Sequence, residues 1–181
     1  PYREKFIIRR SGTKEHPIVI QGVPKGGKLP CIDGANAVQT QKEKWPQSGR
    51  WLIKVGDKSP GNHVRIDLLH LKNANNAQLF SEQGTLKPYE DNAAGVFVRL
   101  GKGVVIARCI IESCGNGVQT TYAPDVTEVT LSSCWIHDNG NHKDPSSALQ
   151  HNVYLCGTNT LVEFCRFGEP HSDGNNIKER G

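Results

Sequence analysis

The sequence predicts an all-β chain wound as a parallel β-helix, and two internal patterns carry that prediction. The first is an octapeptide that recurs at Val64–Leu71, Val104–Ile111, Val129–Ile136 and Thr160–Phe167. Its apolar residues fall at the first, third, sixth and eighth places, with Thr160 opening the fourth copy. Leu69, Cys109, Cys134 and Cys165 therefore share one column, and Leu71, Ile111, Ile136 and Phe167 another. The second is a set of short β-prone runs, Val96–Val98, Val118–Thr120, Val153–Leu155 and Ile177–Glu179, at spacings of 22 to 35 residues. Strands that repeat at such a period bury their apolar faces on neighbouring copies, which is the logic of a solenoid. No amphipathic 3.6-residue periodicity competes, because Gly, Asn and Thr interrupt every long stretch.

Taken along the chain, Phe6–Ile8, Ile18–Ile20 and Trp51–Val55 are the strands of the first turns. The polar stretches from Asp33 to Arg50 and from Lys72 to Ala94 are too long for ordinary turns and are expected as loops beside the coil. An antiparallel β-sandwich also uses many short strands, but no Asn-Gly or Asp-Gly pair joins two runs of matching length here. The 181 residues fit one domain spanning 1–181. No apolar run approaches the roughly 18 residues a membrane span needs. Met is absent, even at position 1, which fits a processed chain or a segment truncated at both ends.

The net charge of +4 admits an acidic partner but does not choose among nucleic acid, glycan and lipid. Arg3, Lys5, Arg9 and Arg10 are expected as a solvated edge. The six cysteines form no CxxC pair, which disfavours zinc ribbons and thioredoxin chemistry. Cys109, Cys134 and Cys165 instead fill a core column as small hydrophobes. Neighbouring strands lie about 4.8 Å apart, so Cys109 and Cys134 are also placed to oxidise in a secreted protein.

In the second strand set, alternation sends Val96, Val98, Val118, Thr120, Val153, Leu155 and Ile177 inward. It sends Phe97, Arg99, Gln119, Thr121, Tyr154, Cys156, Lys178 and Arg180 outward, preceded on that face by Asn152 and Asn176. A groove past Tyr154, Asn152, Asn176, Lys178 and Arg180 suits an extended acidic glycan: the ring packs on a sugar, amides bond hydroxyls and cations meet carboxylates. Elimination from a uronate needs a group to neutralise the acid, a base, and a proton donor to the leaving oxygen. Lys178, Arg180 and Tyr154 supply candidates, with His151 a further one. A lysine base must fall from about 10.4 to about 7 or 8, and Arg180 on the same face contributes positive charge. His151 is expected inward beside Asn116 and Asn175 as a hydrogen-bonded structural residue. His137, His142 and Asp138 lie on a loop, where a metal site is weighed and an ordinary loop preferred. Alternation would bury Glu179, which is anomalous.

Ser11–Gly22, Ile32–Gly34, Ile136–Gly140, His151–Tyr154 and Gly174–Arg180 together resemble the right-handed parallel β-helix superfamily of pectate-lyase-like proteins. The resemblance spans almost the whole chain and rests mainly on structural motifs. It implies a right-handed coil that is secreted or periplasmic and acts on an anionic polysaccharide rather than nucleic acid, as a lyase or C5-epimerase. It also implies calcium at the site and a basic residue in the role of base, carried here by Lys178 and Arg180, although the strip lacks a tight acidic cluster. The superfamily also holds phage tailspikes, adhesins and members without catalysis, so a non-catalytic β-helix that binds glycan or builds an extracellular assembly, with end-to-end self-association of coils, is the alternative. An inverting hydrolase is third, since Asp138, Asp144 and Asp173 form no convincing pair.

Overall fold

A computed structural model describes residues 1–41 and 48–180. Among them the chain is all-β, with a single 3₁₀ turn at Ser48–Arg50 and no α-helix. The strands form three sheets. The first contains, in spatial order, Ile177–Glu179, Val153–Leu155, Asn116–Thr120, Ala94–Val98, Trp51–Val55, Glu4–Ile8, Ala37–Gln39, Leu79–Glu82 and Thr85–Pro88. The second contains Leu161–Glu163, Val126–Ser132, Gly101–Ala107, Val64–Asp67 and Ile18–Gln21. The third contains Arg166–Phe167, Trp135–His137, Ile110–Glu112, His70–Lys72 and Cys31–Asp33. From Ala94 onward the chain visits first, second and third sheet in strict rotation, and the named strand pairs are parallel except one hairpin. This arrangement is compatible with a β-helix.

The registers match the sequence columns. Ile66, Ile106, Leu131 and Val162 pair in one ladder, and Leu71, Ile111, Ile136 and Phe167 in another. Val96, Val118, Val153 and Ile177 form a third. Each octapeptide, however, is two strands rather than one. The break falls at its fifth residue, Leu68, Arg108, Ser133 or Phe164, each with φ between 52° and 56°. These residues turn the chain from the second sheet to the third. Non-glycine residues there cost roughly 1–2 kcal/mol apiece, which the pairing on both sides must offset. In the first turn Gly22 takes the corresponding place, where a Cβ would fall 1.9 Å from the Leu68 carbonyl oxygen.

The main core cluster runs through the stacked turns, with Ile53, Ile66, Leu71, Ile106, Ile111 and Leu131 fully buried, and a smaller cluster holds Ile7, Trp51, Ala94 and Phe97. Each such side chain contributes roughly 1.5–3 kcal/mol. Cys109 and Cys134 lie in it at 1% and 2% exposure with Cys165 packed against it, and all six cysteines are free thiols. No helix among the described residues is long and apolar enough to cross a membrane.

Two expectations change. The long polar stretches are not simple loops: Ala37–Gln39, Leu79–Glu82 and Thr85–Pro88 extend the first sheet, the last two as a hairpin through Gln83 and Gly84, both at positive φ. Residues 42–47 of the first stretch lie outside the described part. Lys5 is also not a solvated cation. It is 1% exposed, with Nζ 3.3 Å from the Phe80 ring centroid, 4.5 Å from Trp51 and 4.6 Å from Tyr89. Three electron-rich ring faces help replace the lost water, together with the Ser48 carbonyl, which accepts a hydrogen bond from Nζ.

Candidate functional site

The outer face of the first sheet carries one column of paired residues, Lys54, Phe97, Gln119, Tyr154 and Lys178. Of the residues expected outward, Phe97, Gln119, Tyr154 and Lys178 are neighbours in this ladder. Beside it opens a cleft of about 550 Å³, floored by Phe97, Gln119 and Tyr154 and walled by the Tyr122–Asp125 loop and Leu149. Arg50 and Arg99 enter it from the sides. Leu149, 78% exposed, sits on the excursion between the strands Trp135–His137 and Val153–Leu155.

Tyr154 is half-buried, and its ring lies 5.5 Å from that of His151 at an interplanar angle of 24°. The Arg180 guanidinium beside its hydroxyl pulls the phenol pKa down, but burial and the neighbouring Tyr122 and Cys156 outweigh it, so the phenol titrates above its ordinary range. Tyr154 is therefore a protonated hydroxyl at neutral pH and suits proton donation rather than abstraction. Cys156 lines the same cleft, and burial raises its thiol, leaving it un-ionised.

His151 is 4% exposed, as expected for an inward residue. Its backbone N–H donates to Asn116 Oδ1 at 2.7 Å, and its Nδ1 accepts from the Asn175 N–H at 2.9 Å. The neutral ring thus carries its proton on Nε2. Burial, then the charge of Lys178, pushes its pKa below the usual range. With no free lone pair, His151 is not placed to act as base; it supports Tyr154 from behind.

Not every predicted residue reaches the cleft. Asn152, expected outward, is fully buried: it accepts from Asn139 Nδ2 at 2.9 Å and donates to Asn176 Oδ1 at 2.6 Å and the Gly168 carbonyl at 3.0 Å. The chain turns at this residue, so alternation does not extend back to it. Phe97, expected as a sugar-stacking surface, is 1% exposed beneath Arg50 and serves as floor. Gln119 is 6% exposed. In the amide orientation that satisfies both its atoms it donates to the Asn92 carbonyl at 3.1 Å and accepts from Arg50 Nη2 at 3.2 Å. Arg99 pairs with Asp125 at 2.7 Å on the rim. Asn176, Lys178 and Arg180 are exposed at the far end, next to Tyr154 but outside the cleft lining. Ile177 and Glu179 point toward the core side yet are exposed, since no further strand is stacked on theirs among the described residues.

Arg50, Tyr122, Asp125 and Leu149 are cleft residues that alternation alone does not find, because all four lie outside the strands that carry the pattern. Their common signal is position: each follows or precedes a strand of the first sheet. His142, weighed as a metal ligand, instead stacks on His171 at 3.8 Å, and His171 pairs with Asp138 at 3.2 Å. No group of three or more His, Cys, Asp or Glu suited to a metal occurs among the described residues. The carboxylate lining the cleft, Asp125, is committed to Arg99. These residues do not fit a calcium site of the implied kind.

Comparison of the chain with protein-family models, with curated proteins and with solved structures finds no match in any of the three.

Proposed function

We propose that the chain is a right-handed parallel β-helix of the pectate-lyase-like kind, exported from the cytoplasm, whose first-sheet cleft acts on an anionic, uronate-containing polysaccharide by β-elimination or C5 epimerisation. The observation that carries this is the protonated Tyr154 hydroxyl held at a cleft edge beside Arg180, with Lys178 adjacent in the same ladder. In elimination a base removes the proton on C5, the electron pair forms the C4–C5 double bond, and the C4–O bond breaks. The leaving oxygen takes its proton from Tyr154, Arg180 balances the substrate carboxylate, and the uncharged amine form of Lys178 is assigned as the base that takes up the C5 proton. In epimerisation the proton returns to the other face of C5 and no bond to oxygen breaks.

A second reading, glycan binding without turnover, is favoured by one feature. Among the described residues, cations and hydroxyls dominate the lining and its one carboxylate is ion-paired, which suits binding an acid and gives hydrolysis through two free carboxylates no support there. Incubation with pectate, alginate and glycosaminoglycans, followed by ultraviolet absorbance of unsaturated uronate, tests the lyase. Exchange of solvent deuterium into C5 without absorbance identifies the epimerase. Binding with neither signal establishes the second reading.

A further inference from the structure

We propose that Arg50, unremarkable in the sequence, is the residue that recognises a substrate carboxylate in this cleft, at a position remote from the reacting uronate. The assignment rests on the glycan reading of the cleft. Arg50 closes the 3₁₀ turn Ser48–Arg50 and directly precedes the strand Trp51–Val55, so its backbone is set by both elements. Its guanidinium stands 5.5 Å from the Phe97 ring centroid, and Nη2 donates to Gln119 at 3.2 Å. Ring and amide together hold the planar fork in one orientation against the cleft.

The fork is nevertheless under-used. Nε is buried and makes no hydrogen bond, and the nearest carboxylate oxygen, Glu90 Oε2, lies 3.7 Å away, beyond hydrogen-bond length. A buried donor without an acceptor is costly, and most such groups in folded proteins are satisfied. Arg99, the other arginine lining the cleft, is already bonded to Asp125 at 2.7 Å. Among the described residues, Arg50 is the lining arginine whose ion pair, with Glu90, is the longer one, and a planar guanidinium matches a carboxylate in a bidentate pair.

Position defines the role. Phe97, under Arg50, and Tyr154 occupy ladder places two strands apart, roughly 10 Å at ordinary strand spacing. A carboxylate at Arg50 therefore belongs to a different sugar from the one whose leaving oxygen meets Tyr154. Binding at such a distance orients a polymer across the cleft and selects acidic over esterified or neutral chains.

Calorimetric titration of wild type, Arg50→Ala and Arg50→Lys with tetramers of galacturonate and mannuronate, and with their methyl esters, tests this. Wild type is expected to favour the free acids. Arg50→Ala should weaken the acids by roughly 10- to 100-fold while leaving the esters unchanged, and Arg50→Lys should recover part of the loss. The ester arm reports whether the variant cleft remains folded. Equal wild-type affinity for acid and ester, an acid preference undiminished in Arg50→Ala, or parallel loss of both ligands each overturns the assignment. Failure of wild type to bind any tetramer overturns the glycan reading itself, and the assignment falls with it.

Discussion

Residue-level chemistry at the cleft turns on which groups keep their protons. Tyr154 stays protonated because burial and its Tyr122 and Cys156 neighbours overcome the pull of Arg180. If it donates the proton to the leaving oxygen, Tyr154→Phe should lower the elimination rate by roughly 10²- to 10⁴-fold with folding intact; an unaltered rate would remove it from the chemistry. Two imidazoles set a separate pH dependence. His142 is depressed by burial and then by His171, and His151 by burial and then by Lys178. Both resist protonation only in the folded chain, so as pH falls the unfolded chain binds protons first. Their stabilising effect is complete above about pH 6.5 and declines as pH falls through the lower folded-state values. Melting temperature should drop between about pH 7 and pH 5, and His142→Asn should flatten that drop. Parallel curves for variant and wild type would show that His142 does not contribute.

At the scale of elements, the corners between the second and third sheets are the points of stored strain. Phe164 sits at φ 53° with its side chain 86% exposed, so it holds an unfavourable backbone shape while burying little. Phe164→Gly should stabilise by up to about 1 kcal/mol, and Ser133→Val, which forces a β-branched residue into φ 56°, should cost about 1–2 kcal/mol or more. Chemical denaturation measures both, and a destabilised Phe164→Gly would mean that the side chain packs more than its exposure indicates. These corners were legible in part. The step from the third to the sixth apolar place of each octapeptide is odd, and a continuous strand keeps even steps. That odd step marks where one strand becomes two, but a single left-handed residue leaves no glycine or proline to announce it. Inward columns were fully legible because they depend on local alternation alone. Burial of Phe97 and Asn152 was not, since their covers, Arg50 for one and Asn139 with Gly168 for the other, come from other turns.

Across the whole molecule, stability passes from turn to turn because each strand of the rotation bonds only to those before and after it. Ala94–Val98 is paired on both sides, by Trp51–Val55 and by Asn116–Thr120, whereas Ile177–Glu179 is paired, among the described residues, on one side only, by Val153–Leu155. Burial follows the same order: Val96, Val118 and Val153 are fully buried, and Ile177 at the end of the ladder is 44% exposed. A stack with nearest-neighbour coupling opens from its ends, at a free energy below that of global unfolding. Hydrogen exchange should therefore be slowest in peptides covering 94–98 and 116–120, and faster in those covering 153–155 and again in 177–179. Core truncation should obey the same gradient. Leu131→Ala, in a fully buried central position, should cost about 2–5 kcal/mol, and Ile177→Ala under about 1 kcal/mol. Uniform exchange from 94 to 179 with equal costs for the two truncations would contradict sequential coupling and require one indivisible cooperative unit.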